Sequence, residues 1–183
     1  MRKCYGSRPA LAAACCAALT MCSACGSAQA GESAAARAAG VSRADRAWIA
    51  AAHQADLAEI QAGQFAESNG SNPTIRRAGA MLVRDHQAFD TKLVSVAGKL
   101  KLSLPTAMTG HQTQIGDELS GEQGAAFDHA FVAAMLTGHD IMIAATRQEI
   151  AHGSSPVVVA LARQALPVLL KHLKTMRAAA PVG

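Results

Sequence analysis

Cysteine is missing from everything beyond residue 25. All five (Cys4, Cys15, Cys16, Cys22 and Cys25) crowd into the start of a 183-residue chain. The remainder therefore has no internal disulfide, no thiolate metal ligand and no cysteine nucleophile, which excludes zinc-finger, iron–sulfur and cysteine-hydrolase chemistry. Aromatic residues make up only 3 %, and no stretch alternates apolar and polar residues as a half-buried strand does. There is no glycine-rich phosphate loop and no internal repeat. Basic residues do not cluster with aromatics, which argues against a nucleic-acid partner. No local serine–histidine–aspartate signature supports hydrolase chemistry.

What the chain has is alanine and hydrophobic residues, the latter making up 50 % of it. That composition suits closely packed helices, and the length suits one domain with a sizeable core. The formal charge of +4 overstates the basicity of that domain. Three of the 17 basic residues, Arg2, Lys3 and Arg8, precede an apolar run from Ala10 to Ala24, and the rest nearly balance the 13 acidic residues.

That N-terminal layout is a secretory signal, and its apolar run is short for a membrane span. Two cleavage patterns compete. Ala28-Gln29-Ala30 suits signal peptidase, giving a signal over residues 1–30. Ser23-Ala24-Cys25-Gly26 resembles a lipobox, giving a signal over 1–24 and a lipid anchor on Cys25 as the membrane attachment. Either way the expectation is an exported protein of the periplasm or outer membrane. Residues 31–42, rich in Ala, Gly and Ser, read as a flexible tether.

From residue 43 to 178 the pattern is helical, with 179–183 as a tail. The first helix starts at Ser42 or Asp45 and runs to about Ser68, with Ile49, Ala52, Leu57, Ile60 and Gly63 at helical spacing. Asn69-Gly70-Ser71-Asn72-Pro73 ends it and restarts the chain. The second helix carries Ile75, Leu82, His86, Phe89, Leu93, Val96 and Leu100 on one stripe. A long connection over 101–120 leaves room for a short helix at about 107–119. The third helix is expected from Ser120, whose spacing to Gln123 is that of a capping box, to His152. The fourth begins at Ser155-Pro156, and Pro167 inside it should bend it or strand a carbonyl. Four long helices and two short turns predict an all-α, antiparallel four-helix bundle.

Several motifs point the same way: Asp45 with Trp48, Glu59-Ile60 and Gly63; Ala80-Met81 with Asp85-His86; Leu104-Pro105; Phe127-Asp128 and His139; Leu166-Pro167 with His172-Leu173. In order and spacing the chain resembles the bacterial exported proteins of the domain of unknown function 4142 family over about residues 43–178. The resemblance implies a ferritin-like four-helix bundle and no particular activity.

Each of the four helices offers one polar group at a similar depth: Glu59, His86, His139 and His172. At 1.5 Å per residue from the turns, all four fall within about 10 Å of one level. If they converge, imidazoles and a carboxylate suit a transition metal such as zinc, iron or copper. Asp85 points about 100° away from His86 on the helical wheel and could only support a ligand. The alternative is a hydrogen-bonded core network, with His86 and His172 satisfied by Glu59 or backbone. In that case the chain is a non-enzymatic envelope protein that binds a partner or supports stress tolerance. A di-iron centre needs two Glu-x-x-His motifs; the chain has one, Glu149 to His152, at a helix end, where His152 would serve the helix terminus. His53, Asp56 and Glu59 on successive turns also read as a solvated face. His129 reads as surface, and Met81, Met135, Met142 and Met176 as core filler.

Overall fold

A computed structural model describes residues 40–180. The N-terminal signal, its cleavage sites and Cys25 lie outside the described residues, as do most of the tether and the last three residues of the tail. Five helices follow in order, with no strand among the described residues: α1 (Arg43–Asn69), α2 (Pro73–Lys99), α3 (Gly110–Gly121), α4 (Gly124–His152) and α5 (Pro156–Ala179). The chain is an all-α helical bundle. α1 packs on α2, α4 on α5, α1 on α4 and α2 on α5, with α3 laid against α1 and α4.

Local chemistry sets the helix boundaries. Ser42 caps α1, and Asp45 returns the contact to the Ser42 N–H at 2.6 Å, a capping box of the kind that stabilises a helix start by about 1 kcal/mol. Asn72 caps α2 with Pro73 in its first turn, and Ser155 caps α5 ahead of Pro156. α5 runs unbroken through Pro167. The short helix in the connection is present, capped by Thr109.

Two sequence expectations are corrected. Ser120 does not open the third long helix. It lies in the last turn of α3 and donates to the Asp117 carbonyl, and the chain restarts at Gly124, whose φ of +64° lets the backbone turn between two helices. The Gln123 cap makes no side-chain hydrogen bond. On α1, Leu57 and Ile60 are only half-buried, and the buried face instead carries His53, Asp56 and Glu59. The solvated-face reading of those three is wrong, because α1 presents small residues and these polar groups to α2, α4 and α5.

Two buried aspartates fasten opposite ends of the bundle. Asp45, fully buried near the start of α1, accepts from the Ser154 and Ser155 N–H groups in the α4–α5 turn. Asp128, early in α4, accepts from the Ser71 N–H and hydroxyl and from the Asn72 side chain in the α1–α2 turn. Each supplies buried acceptors that fasten a turn at the far end of a neighbouring helix pair.

The apolar core is divided in two. One half gathers Trp48, Ile49, Leu93, Ile143, Leu161 and Leu169. The other gathers Ile75, Leu82, Leu119, Phe127, Phe131 and Met176, with the two phenylalanine rings stacked at 5.6 Å. Along every long helix the residue between the two halves is polar: Glu59, His86, His139 and His172.

Candidate metal centre

Burying four polar side chains in one layer is costly unless each finds a partner. All four are at most 5 % exposed, and His139 and His172 are fully buried. They meet: one ligand atom from each lies within 4.8 Å of all the others. Ring centroids are 5.1 Å apart for His86 and His172, 5.4 Å for His139 and His172, and 6.0 Å for His86 and His139. Glu59 Oε2 stands 2.7 Å from His86 Nε2 and 3.3 Å from His139 Nε2.

Every imidazole is held from behind. His86 Nδ1 donates to Asp56 Oδ1 at 2.7 Å, and His139 Nδ1 donates to the Met135 carbonyl at 2.9 Å, one turn earlier in α4. His172 Nε2 donates to Asp85 Oδ2 at 3.1 Å. These acceptors dictate which nitrogen of each ring carries the outward proton and which faces inward. The inward atoms are Glu59 Oε2, His86 Nε2, His139 Nε2 and His172 Nδ1. All four are buried and lack a hydrogen-bond partner of acceptable geometry. Glu59 Oε2 and His86 Nε2 pair as ions at 2.7 Å, while His172 Nδ1 faces the cluster with no partner.

The electrostatics follow from this crowding. Burial works to raise the Glu59 carboxyl, but His86, His139 and His172 hold it down to about 2. Burial likewise opposes charge on His86, yet Glu59 and Asp56 lift it to about 10. Burial and the neighbouring imidazoles depress His172 to about 4, against the pull of Asp85. Asp56 is pushed up to about 6 by burial, which outweighs His86. The metal-free cluster at neutral pH thus holds one proton on His86, a carboxylate at Glu59 and a neutral His172.

Chemically, three imidazole nitrogens and one carboxylate oxygen form a complete four-donor set of borderline hardness, the type that zinc, copper and iron accept. Outward hydrogen bonds from each ring to a carboxylate or carbonyl are the usual support of histidine ligands. Asp85, expected as a supporting or surface group, takes its hydrogen bond from His172 and not from its neighbour His86. Asp56 was not singled out as a support, although its place three residues before Glu59, on the face turned to α2, was a usable signal.

The other candidates lie elsewhere. His53 pairs with Asp90 at 2.5 Å, away from the cluster. Glu149 is buried beside Asp45 and His152 is exposed at the helix end, so the Glu-x-x-His motif contributes nothing to the centre. His129 is exposed, as is His111. Met135, Met142 and Met176 are core residues, and Met81 is half-buried.

No curated protein and no solved structure matches the chain. A family model described as a domain of unknown function, DUF4142, matches residues 30–179, most of the sequence and every element of the cluster. The chain belongs to the DUF4142 family.

Proposed function

We propose that this protein is an exported, ferritin-like antiparallel four-helix bundle that binds one transition-metal ion through Glu59, His86, His139 and His172. It would sequester or buffer the ion without catalysing a reaction. The observation that carries this reading is the set of four buried donor atoms within 4.8 Å of one another, each imidazole being fastened by an outward hydrogen bond. A purely structural network has less use for such an arrangement, because it leaves the inward Nδ1 of His172 buried without a partner. Zinc, copper and iron are the candidates on donor type. Export, with or without a lipid anchor on Cys25, is supported by the N-terminal signal pattern.

The second reading, a structural network in a partner-binding envelope protein, draws on the 2.7 Å approach of Glu59 to His86. Titrating the purified metal-free protein with zinc, copper and iron separates the two. Metal binding predicts close to one ion per chain and a raised Tm, both lost in the His86→Ala, His172→Ala double variant. If none of the three ions binds or shifts the melting transition, the structural network stands and the metal reading falls.

A further inference from the structure

Charge is divided between the two sides of the bundle. α2 and α5 carry nine lysines and arginines against two aspartates, whereas α1, α3 and α4 carry three basic residues against nine acidic ones. The seam between α2 and α5 joins their cations into one face, because Arg84 of α2 and Lys171 of α5 both reach Asp85, at 2.8 and 3.5 Å. Arg77 lies two turns before Arg84 on the same stripe, and Lys92 lies two turns beyond Asp85, on the side turned to α5. On α5, Arg163 and Lys174 share their stripe with Leu170, which is 40 % exposed. All six cations are exposed. Among the described residues, Lys92, Arg163 and Lys174 have no carboxylate within ion-pair distance. The acidic Asp117, Glu118 and Glu122 are exposed at α3, which lies against α1 and α4 on the other side.

We propose that the α2–α5 face docks on an anionic lipid surface, with the acidic α3 side turned away. The occupant follows from charge complementarity and layout. From Arg77 to Lys92 the cations extend about 22 Å along α2, and from Arg163 to Lys174 about 16 Å along α5. They converge on no common centre, so they match a broad sheet of headgroup charge better than one small anion. No aromatic is exposed on either helix to anchor a protein partner or to stack on nucleic-acid bases. Leu170 adds an aliphatic contact of the kind that the headgroup boundary accepts. The acids around α3 are repelled by the same surface, so attraction and repulsion select one orientation. The inference is independent of the metal reading, because Glu59, His86, His139 and His172 are all buried behind this face.

The test is co-sedimentation of the purified protein with vesicles of phosphatidylcholine alone and of phosphatidylcholine mixed with equal phosphatidylglycerol. Neutral vesicles register any binding through the N-terminal apolar run or a lipid on Cys25, so the difference between the two registers the face. Wild type is expected to bind the anionic vesicles at least about tenfold more tightly, and the gain should shrink as salt rises. The Lys92→Glu, Arg163→Glu, Lys174→Glu triple variant should lose that gain. A triple variant with the same change in net charge on the other helices, Arg43→Glu, Arg46→Glu, Arg147→Glu, should keep most of it. Circular dichroism checks that both keep the wild-type helical content. Equal affinity of the wild type for neutral and anionic vesicles overturns the proposal. So does an equal loss in the two triple variants, which would mean that total charge and not this face is sensed. Polyglutamate or duplex DNA bound as tightly as the anionic vesicles would make the face a general polyanion site and overturn the lipid assignment.

Discussion

Asp85 accepts a hydrogen bond from His172 at 3.1 Å across the α2–α5 interface, 87 positions away in sequence, and not from its neighbour His86. That contact selects the Nδ1 atom of His172 as the inward-facing donor. Arg84 and Lys171 steady the same carboxylate from outside. Partial burial pushes the Asp85 carboxyl up, but His172 and Arg84 hold it below its usual range.

Removing Asp85 should therefore loosen a ligand without emptying the core. Asp85→Ala is expected to weaken metal binding by about 10- to 100-fold, the usual effect of losing a ligand's supporting partner. Asp85→Asn, which keeps an acceptor oxygen, should restore part of it. Competition titrations against a chelator of known affinity measure this. An Asp85→Ala protein that binds as tightly as wild type would show that the contact does not orient His172.

Metal binding should release a proton. His86 is held protonated up to about pH 10 in the metal-free cluster, so an ion must displace that proton to reach Nε2. About one proton per ion is expected near pH 7, and affinity should rise with pH. His172, already neutral above about pH 4, should add none. Calorimetry in buffers of different ionisation enthalpy counts the protons. The same group shapes metal-free stability. Its folded pKa is raised, so its contribution is full below about 6.5 and fades as the pH climbs to about 10. Glu59 acts in the opposite window: its folded pKa is depressed, so its contribution is present above 4.5 and lost as the pH falls to about 2.

Gly63 and Gly79 set how closely α1 approaches α2. A Cβ on Gly79 would lie 2.5 Å from the Gly63 carbonyl oxygen and 2.7 Å from the Ala66 Cβ. Neither obstacle is a flexible side-chain end. Gly79→Ala should push the helices apart and cost about 1–3 kcal/mol, despite alanine's better helix propensity. Because Glu59 and His86 face each other across the same interface, metal affinity should fall as well. Denaturant unfolding and metal titration read the two effects. A stabilised variant with full affinity would refute the close-packing account.

Glu149 and Asp45 form a buried acidic pair at the end of the bundle where α1 starts. Burial and the Asp45 charge push the Glu149 carboxyl up to about 7. For an acid with a raised folded pKa, stability is full below the unfolded value of 4.5 and lost as the pH rises through about 7. Glu149→Gln removes that titration. Its Tm relative to wild type should be higher at pH 8.5 than at pH 5, as thermal melts at the two values would show. An equal difference at both would mean that Glu149 does not ionise in this window.

Much of the architecture could be read from the chain. The 3.6-residue stripes, the proline-led starts at Pro73 and Pro156 and the glycines at 70 and 153 mark the helices because they act within a few residues. The misplaced start at Ser120 has the same origin in reverse. A capping-box spacing is local, and the reversal at Gly124 belongs to how α3 and α4 pack.

Residue counting also levelled Glu59, His86, His139 and His172, because helix rise is constant. The helices, apart from the start of α4, their order and the height of the polar layer were legible in the residues alone. Which atoms face inward was not legible there, because it depends on contacts between helices. A ring's direction depends on acceptors from other helices or other turns: Asp56 for His86, the Met135 carbonyl for His139 and Asp85 for His172. The burial of His53, Asp56 and Glu59, against their appearance as a solvated face, has the same cause. Which side of an alanine-rich helix is covered depends on the helices that pack against it, because alanine's small side chain makes neither face strongly apolar.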